Sequence, residues 1–173
     1  MGESGFEDAV AAHHAEIYRY VRRLASRAVE ADDLAQETFL RAYRAWRSLT
    51  PDANVRAWLY TIATNVCRNH ARGERRRRLA HAAVRAVPDG PAGEGPEEEA
   101  VFNEVKVLTE QVVHALPFKQ RAAFTLRKLH DADYDTIGQS LGCSPESARA
   151  HVFQALKKIR HRLNGHLPTE SSR

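Results

Sequence analysis

The residues with the most specific chemistry lie between Tyr134 and Arg160. When Ala148, Val152, Ala155 and Ile159, spaced by three and four, turn inward on a helix, Ser147, Arg149, Ala150, His151, Phe153 and Gln154 are left to face outward or sideways. A guanidinium can bond bidentately to guanine, a carboxamide can do so to adenine, and a phenyl ring can lie on a thymine methyl. The basic run Lys157, Lys158, Arg160, His161 and Arg162 follows on the same helix and suits phosphate oxygens.

A second cluster is Arg72, Arg75, Arg76, Arg77 and Arg78, too dense for solubility alone, in which each side chain can neutralise a phosphate and release a counterion. Ahead of it come Trp58, Tyr60, Asn65, Arg68 and Asn69. Aromatic rings are a usual platform for unpaired bases. Trp58 shares a stripe with Leu59, Ile62 and Val66 and is assigned to the core, whereas Tyr60 and Asn65 lie off that stripe and are the candidates to meet nucleic acid. A third set, Asp33, Gln36, Glu37, Arg41 and Arg44, lies mostly off the stripe Ala35, Phe39, Ala42, Trp46 and Leu49. A face of acids and amides fits DNA poorly and a protein partner well. Cys67 and His70 stand three apart on one helix, with His13 and His14 elsewhere, but no second pair completes a zinc site. Without a phosphate-cradling glycine loop or a nucleophile elbow, neither an enzyme nor a cofactor is expected.

These side chains need helices to hold them. Ser4 and Glu7 form a capping-box pattern before the stripe Phe6, Val10, His13, Ile17, Val21 and Leu24, and a second helix is predicted from a cap near Asp32. Thr50 to Asn54 reads as a loop ending in a cap, followed by a third helix with the stripe Val55, Trp58, Leu59, Ile62, Val66 and Cys67. Val101, Val105, Leu108, Val112 and Ala115 predict a fourth helix that stops at Leu116-Pro117. Lys119 to Leu129 is a fifth, Tyr134 to Leu141 a short sixth closed by Gly142, and Ser144-Pro145 caps a seventh that reaches about Leu163. A glycine turn between the last two is the helix-turn-helix pattern, whose second helix enters the major groove.

The fold class expected is all-α, with two small helical domains at 4–80 and 98–166 and a linker at 81–97. The stretch PDGPAGEGPEEE within 88–99 is rich in proline, glycine and acid and reads as a flexible tether. The 173 residues carry a formal charge of +4, which matters here because the basic residues are clustered. Two cysteines imply no disulfide framework, no run approaches the length of a membrane span, and the N-terminus lacks the blocks of a signal peptide. A cytoplasmic protein without membrane insertion is expected.

Several of these segments together resemble the extracytoplasmic-function (ECF) group of bacterial RNA polymerase sigma factors. The run Asp33 to Tyr43 resembles that family's polymerase-binding helix, Arg56 to Asn65 its promoter-opening helix, and Leu116-Pro117 with Gln120-Arg121 and then Tyr134 to Ile159 its C-terminal DNA-binding domain. The resemblance implies a transcription initiation factor whose partners are core RNA polymerase, through the clamp coiled coil of the largest subunit and the flap, promoter DNA, and an anti-sigma factor. It implies that Asp33, Gln36, Glu37, Leu40, Arg41 and Arg44 meet the polymerase. Asn54, Tyr60, Asn65, Arg68, Asn69, Arg72, Arg75 and Arg76 would act at the minus-ten element. Ser147, Arg149, Ala150, His151, Phe153, Gln154, Lys157 and Lys158 would act at the minus-thirty-five element. His151 and Gln154 stand where the family often has Arg, and Asn69 where it often has Asp, so the promoter sequence read should differ. In the family the tether threads the polymerase's RNA path, where Asp89, Glu94, Glu97, Glu98 and Glu99 would mimic a transcript's backbone or serve as a plain spacer. The competing readings are a stand-alone helix-turn-helix regulator, which leaves the acid-and-amide face unexplained, and a protein-binding adaptor, which leaves the basic faces unexplained.

Overall fold

A computed structural model of the chain describes residues 3–27, 29–81 and 107–164, all of its regular structure being helical. The 81–97 linker, the acidic tether, Val101, Val105 and the last residues lie outside the described residues, apart from His81 at the end of a helix. The elements are α1 (Glu3–Leu24), α2 (Glu30–Ala45) with a single 3-10 turn at Trp46–Ser48, α3 (Val55–His81), α4 (helical over 107–114), α5 (Phe118–Leu129), α6 (Tyr134–Leu141) and α7 (Pro145–Asn164).

Local chemistry sets several of these boundaries. Asn54 Oδ1 accepts the Ala57 amide at 3.0 Å and starts α3, Asp133 accepts the Thr136 amide at 2.7 Å and starts α6, and Ser144 Oγ accepts the Ser147 amide at 3.2 Å and starts α7. Gly142 closes α6 in the left-handed conformation at φ 63°, where a side chain would be strained. Two expected caps are corrected: α1 begins at Glu3, so Ser4 lies inside the helix and not at its cap. α2 begins at Glu30 rather than at Asp32, and the Asp32 carboxylate instead accepts the Tyr18 hydroxyl at 2.9 Å, which ties α2 to α1.

α1, α2 and α3 pack mutually, as do α5, α6 and α7, which matches the expected two groups of helices. The groups are not apart, however. α3 lies on α6 and α1 on α5, and one buried cluster runs from Ile17, Tyr20 and Leu24 through Leu59 and Val66 to Leu126, Ile137, Leu141 and Val152. A smaller cluster of Val112, Val113, Leu116, Ala155 and Ile159 seats α4 on α7. At the seam His130, from the turn after α5, meets the rings of Tyr20 and Tyr60 edge-on at 5.8 and 5.6 Å. Arg56 reaches across to donate to the His130 carbonyl at 2.7 Å. Burial of each large apolar side chain is worth about 1.5–3 kcal/mol. The exposed Arg23–Glu110 pair at 3.2 Å belongs to a class worth about 0–1 kcal/mol, so packing rather than charge pairing holds the groups together.

Candidate nucleic-acid interface

α7 presents its inward stripe as expected: Ala148, Val152, Ala155 and Ile159 are all buried. Ser147, Arg149, Ala150, Gln154, Lys157 and Lys158 are exposed, and the Phe153 ring is 68% exposed. Two members differ from the expectation. His151 turns partly inward toward α5, where burial and the nearby Lys119 charge hold its pKa below the usual histidine range, so it is neutral at physiological pH. Gln154 is not free to offer its carboxamide whole, because its Oε1 accepts Gln120 Nε2 at 2.7 Å. Its amide hydrogens remain unspent.

The second basic face lies on α3. Asn65, Arg68, Asn69, Arg72, Arg75 and Arg76 follow helical spacings of three and four, and Asn69, Arg72, Arg75, Arg76 and Leu79 form one continuous surface. The Arg68 guanidinium donates to Asn65 Oδ1, which joins the two into one polar unit. Beyond Cys67 no described side chain of the helix is buried, and Arg72, Arg75, Arg76, Arg77 and Arg78 are exposed. Asn54 is exposed, but its oxygen is spent on the α3 cap and only its amide hydrogens remain.

Tyr60 is a correction. It is fully buried, and its hydroxyl donates to Glu16 at 3.0 Å. Thr64, one turn further on, is also buried and pairs with the Tyr20 hydroxyl at 2.8 Å. The reason is that α3 has two packed faces, one against α2 and one against α1 and the His130 turn, whereas a single apolar stripe implies one. Glu16 gathers this second face. Burial alone would raise its pKa, but hydrogen bonds from His13, Arg56 and Tyr60 outweigh that and hold the carboxylate below its usual range. Burial pushes Tyr60 and Tyr20 well above the usual phenol range, so both remain neutral. Cys67 is likewise buried, its thiol pushed up to about 12 by desolvation, so it is a packing residue rather than a ligand. Among the described residues no group of three or more His, Cys, Asp or Glu side chains could hold a metal ion.

The acid-and-amide face of α2 is exposed. Asp33, Gln36, Arg41 and Arg44 are open to solvent, Glu37 pairs with Arg41 at 2.6 Å, and Leu40 is 43% exposed. Tyr43, 51% exposed and packed edge-on with Phe6 at 5.3 Å, belongs to the same surface and was missed by pattern reading, although its place three residues after Leu40 marks it. The whole is a mixed polar surface with an apolar centre, the composition of a protein interface.

Residues 9–77 match Sigma-70 region 2, and residues 107–159 match Sigma-70, region 4. The chain is 32% identical over 165 residues to the RNA polymerase sigma-H factor of Pseudomonas aeruginosa, an alignment that spans 89% of this chain and 83% of that protein. It is 30% identical over 141 residues to the ECF RNA polymerase sigma-E factor of Escherichia coli, spanning 78% of this chain and 74% of that one. In structure it is similar to the sigma factor RpoE of Bartonella quintana, solved in complex with the anti-sigma factor NepR. The TM-score is 0.73 and the identity 22%, over 92% of this chain and 97% of that one. It is also similar to CnrH, solved in complex with the cytosolic domain of CnrY, with a TM-score of 0.69 and 21% identity over 95% and 90% of the two chains. These structural likenesses show the shared fold.

Proposed function

The chain belongs to the ECF sigma factors of the sigma-70 family, which makes it a transcription initiation factor, and from that premise we propose which surface performs which part of the work. α2 docks on the clamp coiled coil of the polymerase largest subunit through Asp33, Gln36, Glu37, Leu40, Arg41 and Arg44. The stripe of α3 from Asn65 to Arg76 engages the minus-ten element, with the Asn65–Arg68 unit beside the base that leaves the stack and the arginines on the backbone. α7 reads the minus-thirty-five element with Arg149, Phe153 and Gln154 and grips phosphates with Lys157 and Lys158. Residues 9–77 and 107–159 act as the two promoter-binding regions of a factor that works in the cytoplasm beside the polymerase. Because the similar sigma factor RpoE was solved with the anti-sigma factor NepR, an anti-sigma factor is assigned as a further partner of this one.

The observation that carries this reading is the presence, in one chain, of an exposed acid-and-amide face on α2 and exposed basic faces on α3 and α7. A DNA-binding regulator needs only the latter. The test is transcription in vitro by core polymerase on a randomised promoter library, with wild type, Arg149→Ala and Arg76→Ala at two salt concentrations. Arg149→Ala is expected to remove about 1–3 kcal/mol of discrimination at one upstream position. Arg76→Ala should lower affinity for all promoters alike and reduce the salt slope by about one phosphate contact. An unchanged upstream motif with Arg149→Ala, or an altered one with Arg76→Ala, overturns the assignment of reader and holder.

A further inference from the structure

Arg149 is exposed and, among the described residues, makes no hydrogen bond or ion pair. An arginine with several rotatable bonds and no anchor would lose much freedom on meeting a base edge, and that loss weakens discrimination. It does have one neighbour: its guanidinium carbon lies 4.9 Å from the centre of the Tyr134 ring. A cation held over an aromatic face is attracted by the ring's quadrupole, and the contact uses none of its N–H donors. A carboxylate in that place would occupy the donors needed for guanine. Glu146, the one acid in the first turn of α7, comes near enough for the Arg149 charge to lower its pKa, after the larger effects of its hydrogen bonds at the helix start, but it forms no ion pair with Arg149.

Tyr134 is itself fixed. It is half-buried against the main core, and it is the first residue of α6, whose start is set by the Asp133 cap. A second guanidinium, that of Arg127, lies 5.0 Å from the same ring and is tied to the Ala132 carbonyl at 3.1 Å. The two cations around one ring therefore differ in kind. Arg127 is bonded into the loop, whereas Arg149 keeps all its donors unspent.

We propose that Tyr134 is a positioning residue for promoter recognition, its ring holding the Arg149 guanidinium ready for the base it reads. This rests on the assignment of Arg149 as a base reader. Holoenzyme reconstituted from core polymerase and the full chain is presented with promoter fragments varied at each upstream position, in competition. Tyr134→Leu should lose discrimination by about two- to fivefold, the worth of an exposed cation–ring contact, and only at the position that Arg149→Ala affects. Tyr134→Phe, which keeps the ring face, should stay within about twofold of wild type. The double variant Tyr134→Leu with Arg149→Ala should be no less selective than Arg149→Ala alone. Tyr134→Met makes the same comparison should the leucine variant not fold, and in the wild-type protein the Arg149 δ-protons should show an upfield ring-current displacement by NMR. If Arg149→Ala changes the preference while Tyr134→Leu weakens all fragments equally, or if the double variant loses further selectivity, Tyr134 is not positioning Arg149. Absence of the ring-current displacement overturns it as well. If Arg149→Ala itself leaves every preference unchanged, the base-reader assignment is what fails, and the positioning role falls with it.

Discussion

Two glycines around the helix-turn-helix turn do different work. Gly142 needs a backbone angle that other residues resist, and its position just after a short amphipathic run made that visible from the order of residue types. Gly138 sits inside α6 with ordinary dihedrals, yet a Cβ there would lie 2.7 Å from the Cys143 carbonyl oxygen and 3.3 Å from the Pro145 nitrogen. Backbone atoms cannot swing aside as a flexible side chain can. Gly138→Ala should therefore cost about 1–3 kcal/mol through overpacking, against about 1–2 kcal/mol of backbone strain for Gly142→Ala, which meets open space. Thermal unfolding checks both, and a Gly138→Ala protein as stable as wild type would show that the close approach is not real. The contrast marks how far residue types go. Caps at Asn54 and Ser144 are local hydrogen bonds within three residues, so they could be read in sequence. The Gln120–Gln154 bond joins residues on α5 and α7 that only packing brings together, and nothing in either neighbourhood announces it.

At the level of elements, α2 and α7 were legible because each buries a single stripe, and their outward faces followed by subtraction. α3 was misread because both its flanks are covered over its first half, so a polar-looking Tyr60 and Thr64 became core while Trp58 stayed half-buried. Leu129 errs the other way: it continues the apolar pattern of α5 but is 52% exposed, since the chain turns at His130 before anything covers it. What survives on α3 is the polar stripe from Asn65 onward, which past Cys67 leaves the packed part of the helix. Asn65→Ala should reduce open-complex formation more than closed-complex binding, because a contact to a flipped base counts only after the base has left the stack. Permanganate footprinting that shows undiminished melting would remove Asn65 from that role. For α2, Asp33→Ala with Gln36→Ala should weaken association with core polymerase while leaving the helical content and the DNA affinity of α7 intact, since neither side chain is part of the core. A pull-down in which the double variant keeps full core binding would reassign the face.

The whole molecule is governed by the seam between the two helical groups, and that seam carries a proton-sensitive residue. His130 is buried there, and desolvation holds its pKa below the ordinary value of 6.5. The Glu16 carboxylate opposes this, and the cations Arg19 and Arg23 on α1 and Arg56 on α3 add to it. Tyr20 and Tyr60 face it as neutral rings. When the groups part, His130 returns toward the ordinary value, so the open form binds a proton more readily than the closed one. The closed form therefore has its full stability above about pH 7 and loses it as the pH falls through about 6.5 and lower. Glu16 acts with the opposite sign and elsewhere: its lowered pKa supports the closed form above the ordinary carboxylate value of 4.5, and that support fades only in more acidic solution. Between pH 7.5 and 5.5 His130 should set the trend together with His114, whose pKa burial and the Arg121 charge also lower. The radius of gyration from small-angle scattering should rise over that interval in the wild-type protein, rise less in His130→Gln, which keeps a polar side chain but cannot take up the proton, and stay flat when His114→Gln is added. If all three proteins expand alike, some other group drives the opening. If none does, the packing of Tyr20, Tyr60 and the shared core exceeds what these buried protons can overcome.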